Sequence, residues 1–120
     1  MTIPYVSHKK IEDVFENWRK LRPIPARCKL TKDRIRLIQS RLRLGYTVQD
    51  LVDVIDYIYK ADEPDARWMR GDNPRRRKYL DLEHLLRVTR LGERVEAAAL
   101  WKSKGQREAT DTDTNPYKVV

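Results

Sequence analysis

Cysteine, histidine and glycine are scarce in this 120-residue chain. The one cysteine, Cys28, cannot form an internal disulfide, and with His8 and His84 it shows no metal-ligand spacing, which argues against a zinc site. The four glycines are isolated, so no phosphate-cradling Walker loop or dinucleotide fingerprint is present. Nucleophile-elbow and metalloprotease patterns are missing as well. No apolar run approaches the ~18 to 20 residues needed to span a bilayer, and the opening MTIPYVSHKK lacks the apolar segment of a signal peptide. No alternating strand pattern occurs, and there is no internal repeat. These absences predict a soluble, cytoplasmic, non-enzymatic protein with no membrane partner, no metal and no cofactor.

What is abundant is charge. Twenty-six Lys and Arg against 18 Asp and Glu give a net charge of +8, a pI of about 9.8 and a mean hydropathy of −0.78. The charge is blocked along the chain. Residues 1–46 carry twelve basic and four acidic residues (+8), and 47–66 carry one basic and six acidic (−5). Residues 67–104 carry eleven basic and five acidic (+6), and 105–120 two basic and three acidic (−1), which together restore +8. Segregation of this kind predicts distinct positive and negative regions on one surface. With 40% apolar residues, the length supports a single core.

Periodicity and capping residues predict an all-α domain of four to five helices over residues 1–104, followed by a flexible polar tail over 105–120. Ser7 caps a first helix in which Ile11, Val14, Phe15, Trp18 and Leu21 form one apolar stripe, ending by Arg22 before Pro23 and Pro25. Thr31 caps a second, which runs to about Leu44 and stops at Gly45; it places Lys32, Arg36 and Arg43 on one face and Arg34 and Arg41 on another flank. Thr47 caps a third, with Asp50 positioned for a capping box. Its apolar face is Val48, Leu51, Val52, Ile55, Ile58 and Tyr59, with Gln49, Asp50, Asp53, Asp56 and Tyr57 opposite and exposed. Residues 61–79 lack a sustained period and read as a long basic loop, pinned to the core at its middle by Trp68. Asp81 caps a short helix through about Arg87, and a last helix covers about Arg90 to Lys102. The expected core is Phe15, Trp18, Ile35, Ile38, Leu42, Leu51, Ile55, Ile58, Leu85, Val95 and Trp101.

Candidate chemistry follows from placement. Asp50, Asp53 and Asp56 share a helical face that suits a solvated surface or a protein-partner face better than a carboxylate catalytic centre. His84 reads as a packing or surface residue, and Cys28, between Arg27 and Lys29, as an inert thiol because no base partner is apparent. The basic stretches carry more meaning, since phosphate contacts need only charge and reach, and neighbouring aromatics add base stacking. The predicted contacts are Lys32, Arg36 and Arg43 on the second helix and Arg67, Arg70, Arg75, Arg76, Arg77 and Lys78 in the loop, with Trp68 and Tyr79 as stacking groups. Residues 31–60 have the turn length of a helix-turn-helix, but the aspartates of the third helix would face phosphate, so the second helix would have to lead.

Several segments resemble a known family. These are Trp18; Leu30-Thr31-Lys32 with Arg34; Arg41-Leu42; Gly45-Tyr46-Thr47-Val48; Asp50-Leu51; Val54-Ile55-Asp56; Trp68; and Lys78-Tyr79-Leu80 ahead of Leu85-Leu86. In this order, across residues 11–101, they resemble the conserved C-terminal domain of phage and prophage replication-initiation proteins, the replisome organisers. The resemblance implies a small helical module, in the cytoplasm of a bacterial host, that binds DNA and helps to recruit the replicative helicase or its loader, with DNA rather than RNA as the expected nucleic-acid partner. Family members usually carry this module behind a winged-helix domain. The segment after Leu80 departs from the family's Pro-x-Thr-Leu-Phe-like wording, so a stand-alone relative with a changed partner is also expected. The competing expectation is a phage-type interaction module that binds and inhibits or redirects a host protein.

Overall fold

The computed structural model describes the backbone of residues 6–114 and the side chains of residues 6–105. Among the described residues the chain is all-helical: α1 (His8–Arg19), α2 (Lys32–Arg43), α3 (Val48–Lys60), α4 (Pro64–Met69), α5 (Leu82–Leu85) and α6 (Val88–Thr114), with a single 3-10 turn at Pro25–Arg27. None of these helices is long and apolar enough to cross a membrane.

The helix starts sit where their capping side chains place them. Ser7, Thr31 and Asp81 accept from the backbone N–H groups of Lys10, Arg34 and His84, each satisfying a donor that the first turn leaves orphaned. At α3 the capping box is complete: Asp50 N–H donates to Thr47 Oγ1 (3.0 Å) and Thr47 N–H to the Asp50 carboxylate (2.9 Å). Gly45, at φ +106°, ends the α2 turn in the left-handed region that glycine adopts without strain.

Helix α3 is the centre. It is packed by α1, α4, α5 and α6, while α2 lies against α1 and α5. Leu51, Val54, Ile55, Tyr57 and Ile58 are all buried, and each fully buried aliphatic side chain of this size contributes about 1.5–3 kcal/mol. Ile11, Val14, Phe15 and Trp18 cover it from α1, Leu82, Leu85 and Leu86 from the α5 segment, and Leu91 and Ala98 from α6. Ile35, Val95 and Trp101 rim this core half-buried.

Three expectations need correction. Tyr57 is 3% exposed instead of facing solvent, because α4 and α6 cover the side of α3 that an isolated amphipathic helix would leave open. The 61–79 stretch is not one loop, since Pro64 occupies the first position of α4, where its missing N–H costs nothing. Trp68 does not pin that stretch; Ala66 and Met69 do, both buried, while Trp68 is 46% exposed. The helix count is therefore six among the described residues, and the basic loop shrinks to residues 70–81. Helix α6 starts at Val88 and continues to Thr114, past the expected end near Lys102, so the backbone of 105–114 is helical; residues 115–120, the rest of the expected polar tail, lie outside the described residues.

Candidate nucleic-acid interface

The run Arg75-Arg76-Arg77-Lys78 sits on a turn organised by one buried amide. Asn73, only 8% exposed, donates through Nδ2 to the carbonyls of Trp68 and Arg77, both at 2.7 Å, and its Oδ1 accepts from Arg77 N–H at 3.1 Å. The Arg76 N–H closes the turn onto the Asn73 carbonyl (2.9 Å), with Pro74 presetting the backbone between them. Arg76 adopts φ +54° and Gly71 φ +115°, the two positive-φ residues at which this segment reverses direction. At its exit, Tyr79 N–H donates to the Met69 carbonyl (2.8 Å). Four consecutive cations are thus exposed on a braced loop, and none forms an ion pair with any of the described residues.

Beside the turn stands an aromatic stack. The rings of Trp68 and Tyr79 lie parallel within 10°, with centroids 5.2 Å apart. Tyr79 rests on His84 at 5.1 Å, and His84 Nδ1 is 2.5 Å from the Asp81 carboxylate, so the capping residue of α5 also holds the imidazole. Trp68, Tyr79, His84, Arg87 and Arg90 line one cleft of about 370 Å³ against the start of α6.

The remaining predicted contacts separate into outward and inward groups. Lys32, Arg36 and Arg43 are exposed on α2 as expected, with Arg36 4.0 Å from Asp33. Arg67 is drawn into ion pairs with Asp62 and Asp72. Arg70 is turned inward, donating to the carbonyls of Ile58 (2.7 Å) and Ala61 (2.8 Å) at the end of α3, where orphaned acceptors need partners. Other arginines do the same work. Arg41 Nε donates to the Leu86 carbonyl (2.6 Å), and Arg94 Nη1 to those of His84 (2.5 Å) and Leu85 (3.0 Å). Arg34 and Arg22 hold their guanidinium groups 4.9 and 5.1 Å from the Trp18 ring centroid, a cation–π arrangement. Burial pushes the Arg41 and Arg94 guanidiniums below their usual range, Arg94 further through the nearby Arg90 and Arg87 charges, yet both stay cationic.

The acidic row is also engaged internally. Asp50 belongs to the capping box. Asp53 accepts from Gln49 (2.7 Å) and Lys102 (3.4 Å), and Asp56 accepts from Asn17 (3.2 Å) and pairs with Lys60. All three are half-buried, which corrects the picture of an open acidic face. No group of His, Cys, Asp and Glu among the described residues is arranged to hold a metal ion.

Sequence reasoning passed over Asn73, Arg87 and Arg90. The Asn73-Pro74 pair carries a turn signal, but Arg87 and Arg90 meet the aromatic stack only through the fold. No protein-family model, curated protein or solved structure matches the chain.

Proposed function

We propose that the chain is a non-enzymatic nucleic-acid-binding accessory protein and that the 73–79 turn, with Trp68 and Tyr79, is its principal contact. One observation carries this reading: four consecutive cations without acidic partners among the described residues, on a loop held in shape by a buried asparagine and flanked by a stacked aromatic pair. Charge gives affinity for phosphate, and a braced loop loses less conformational freedom on binding than a mobile one. Lys32, Arg36 and Arg43 on α2 extend the basic surface, whereas Arg67 and Arg70 are left out because they serve acidic or carbonyl partners within the fold.

The resemblance to replisome organisers supports DNA as the ligand and phage-type replication as the setting, with recruitment of a replicative helicase or its loader as part of the same proposal. The alternative, a module that binds and redirects a host protein, loses its acidic face to internal bonds and would have to use the basic turn.

Fluorescence anisotropy with labelled oligonucleotides at ~50 mM salt tests the reading. Binding should weaken with a log–log salt slope of about −3 to −4 if the four loop cations each meet a phosphate. Replacing Arg75, Arg76 and Arg77 together by Glu should reduce affinity at least tenfold, regardless of sequence. Absence of binding at that salt to both single- and double-stranded DNA would sink the proposal.

A further inference from the structure

Trp68 is exposed where the other two tryptophans are not: it is 46% accessible, against 1% for Trp18 and a half-buried Trp101. One face of its indole is stacked off-centre by Tyr79, no other ring among the described residues stacks on it, and the indole also borders a second pocket with Asp65, Arg90 and Glu93. The stack is braced from behind, Tyr79 on His84 and His84 on Asp81. The adjoining cleft is bordered by Arg87 and Arg90, both exposed. Arg87 has no acidic partner among the described residues, and Arg90 has only Glu93 at 3.7 Å. Arg94 at the same cleft is committed to the α5 carbonyls, so it adds positive charge without being available as a donor at Nη1.

We propose that this shelf selects single-stranded nucleic acid: an unpaired base stacks on the open face of Trp68, Arg87 and Arg90 take the neighbouring phosphate, and the Arg75–Lys78 turn holds the backbone beyond it. The proposal rests on the nucleic-acid reading above and adds the strand state and two residues to it. In a duplex both faces of a base are covered by its neighbours, and Trp68 has nothing to stack on. A single strand presents open faces, and stacking on them is indifferent to sequence because every base has one. A guanidinium beside the ring suits the phosphate linked to a stacked base, through charge and paired N–H donors.

The test compares three labelled ligands of ~12 nucleotides, a length in the range of single-strand sites: oligothymidine, an abasic strand of the same charge, and a duplex. With the unaltered chain, oligothymidine should bind about tenfold more tightly than the abasic strand, as one stacked base implies. Trp68→Ala should erase that gap, so that oligothymidine and the abasic strand bind alike. Trp68→Phe, which keeps an aromatic face, should retain part of it. The abasic comparison needs no variant and so does not depend on one folding. Equal binding of oligothymidine and the abasic strand overturns strand selection and leaves the nucleic-acid reading standing; binding of none of the three ligands overturns both. Competition by polyglutamate as effective as by oligothymidine overturns both in favour of an acidic protein ligand.

Discussion

Asn73 shows how a single uncharged side chain decides what a charged loop can do. Without its amide, the carbonyls of Trp68 and Arg77 and the N–H of Arg77 would each lose a partner in a setting that is only 8% exposed. Asn73→Ala should therefore destabilise the protein by about 2 kcal/mol, measurable as a lower urea midpoint at unchanged slope. It should also weaken oligonucleotide binding although no charge is removed, since the cations would have to be ordered on association. The asparagine was legible in the sequence only as half of an Asn-Pro turn marker. That its side chain reaches both Trp68 and Arg77 depends on α4 ending at Met69, which local spacing does not reveal. Tyr57 was misplaced for a related reason. Residue spacing assigns a helix face, but whether that face meets solvent depends on which other helices arrive, and α3 is covered on more sides than its own pattern suggests.

Among the elements, α1, α2 and α3 were legible because each carries its own start signal and apolar stripe and begins one residue after Ser7, Thr31 or Thr47, whereas α6, expected over about Arg90 to Lys102, spans Val88–Thr114. Helix α4 was not, since six residues are too few for a period and too short to be stable alone; it exists because Ala66 and Met69 are buried against the core. The short α5 depends on a similar supply of outside partners. Its terminal carbonyls are met by Arg94 from α6, and the Leu86 carbonyl just beyond by Arg41 from α2. Arg94→Met preserves the apolar stem and removes the donors, leaving the His84 and Leu85 carbonyls without them. The expected loss is about 2–3 kcal/mol in urea denaturation, well above that for the exposed Arg43→Met, which should lie within ~0.5 kcal/mol.

For the molecule as a whole, α3, α4 and α6 are joined at Tyr57. Its hydroxyl donates to Asp65 at 2.6 Å, and its ring meets Trp101 edge-on at 5.9 Å. Burial, and then the Asp65 carboxylate, raise the Tyr57 pKa well above its ordinary value of 10.0. The folded state therefore holds this proton more tightly than the unfolded chain does. The resulting stabilisation is fully present below pH ~10 and is lost as pH rises above it, where the unfolded state ionises first. Urea midpoints measured from pH ~8 to ~11 should fall at the alkaline end, and Tyr57→Phe should flatten that fall while costing about 1 kcal/mol at neutral pH. At this scale the net charge of +8 also acquires structure. Of the cations summed in it, Lys32, Arg36, Arg43 and Arg75 to Lys78 are exposed, whereas the fold uses Arg22, Arg34, Arg41, Arg70 and Arg94 as hydrogen-bond donors and ring neighbours.

That division sets which substitutions a descendant of this chain can accumulate. Lysine matches arginine in charge but offers one ammonium in place of a planar fork. In the 75–77 run the exchange would keep the cations in place. At Arg70, whose two nitrogens reach two different carbonyls, the same exchange would conserve every charge and still open the end of α3. Drift between these two amino acids should be free on the basic turn and arrested inside the helical frame.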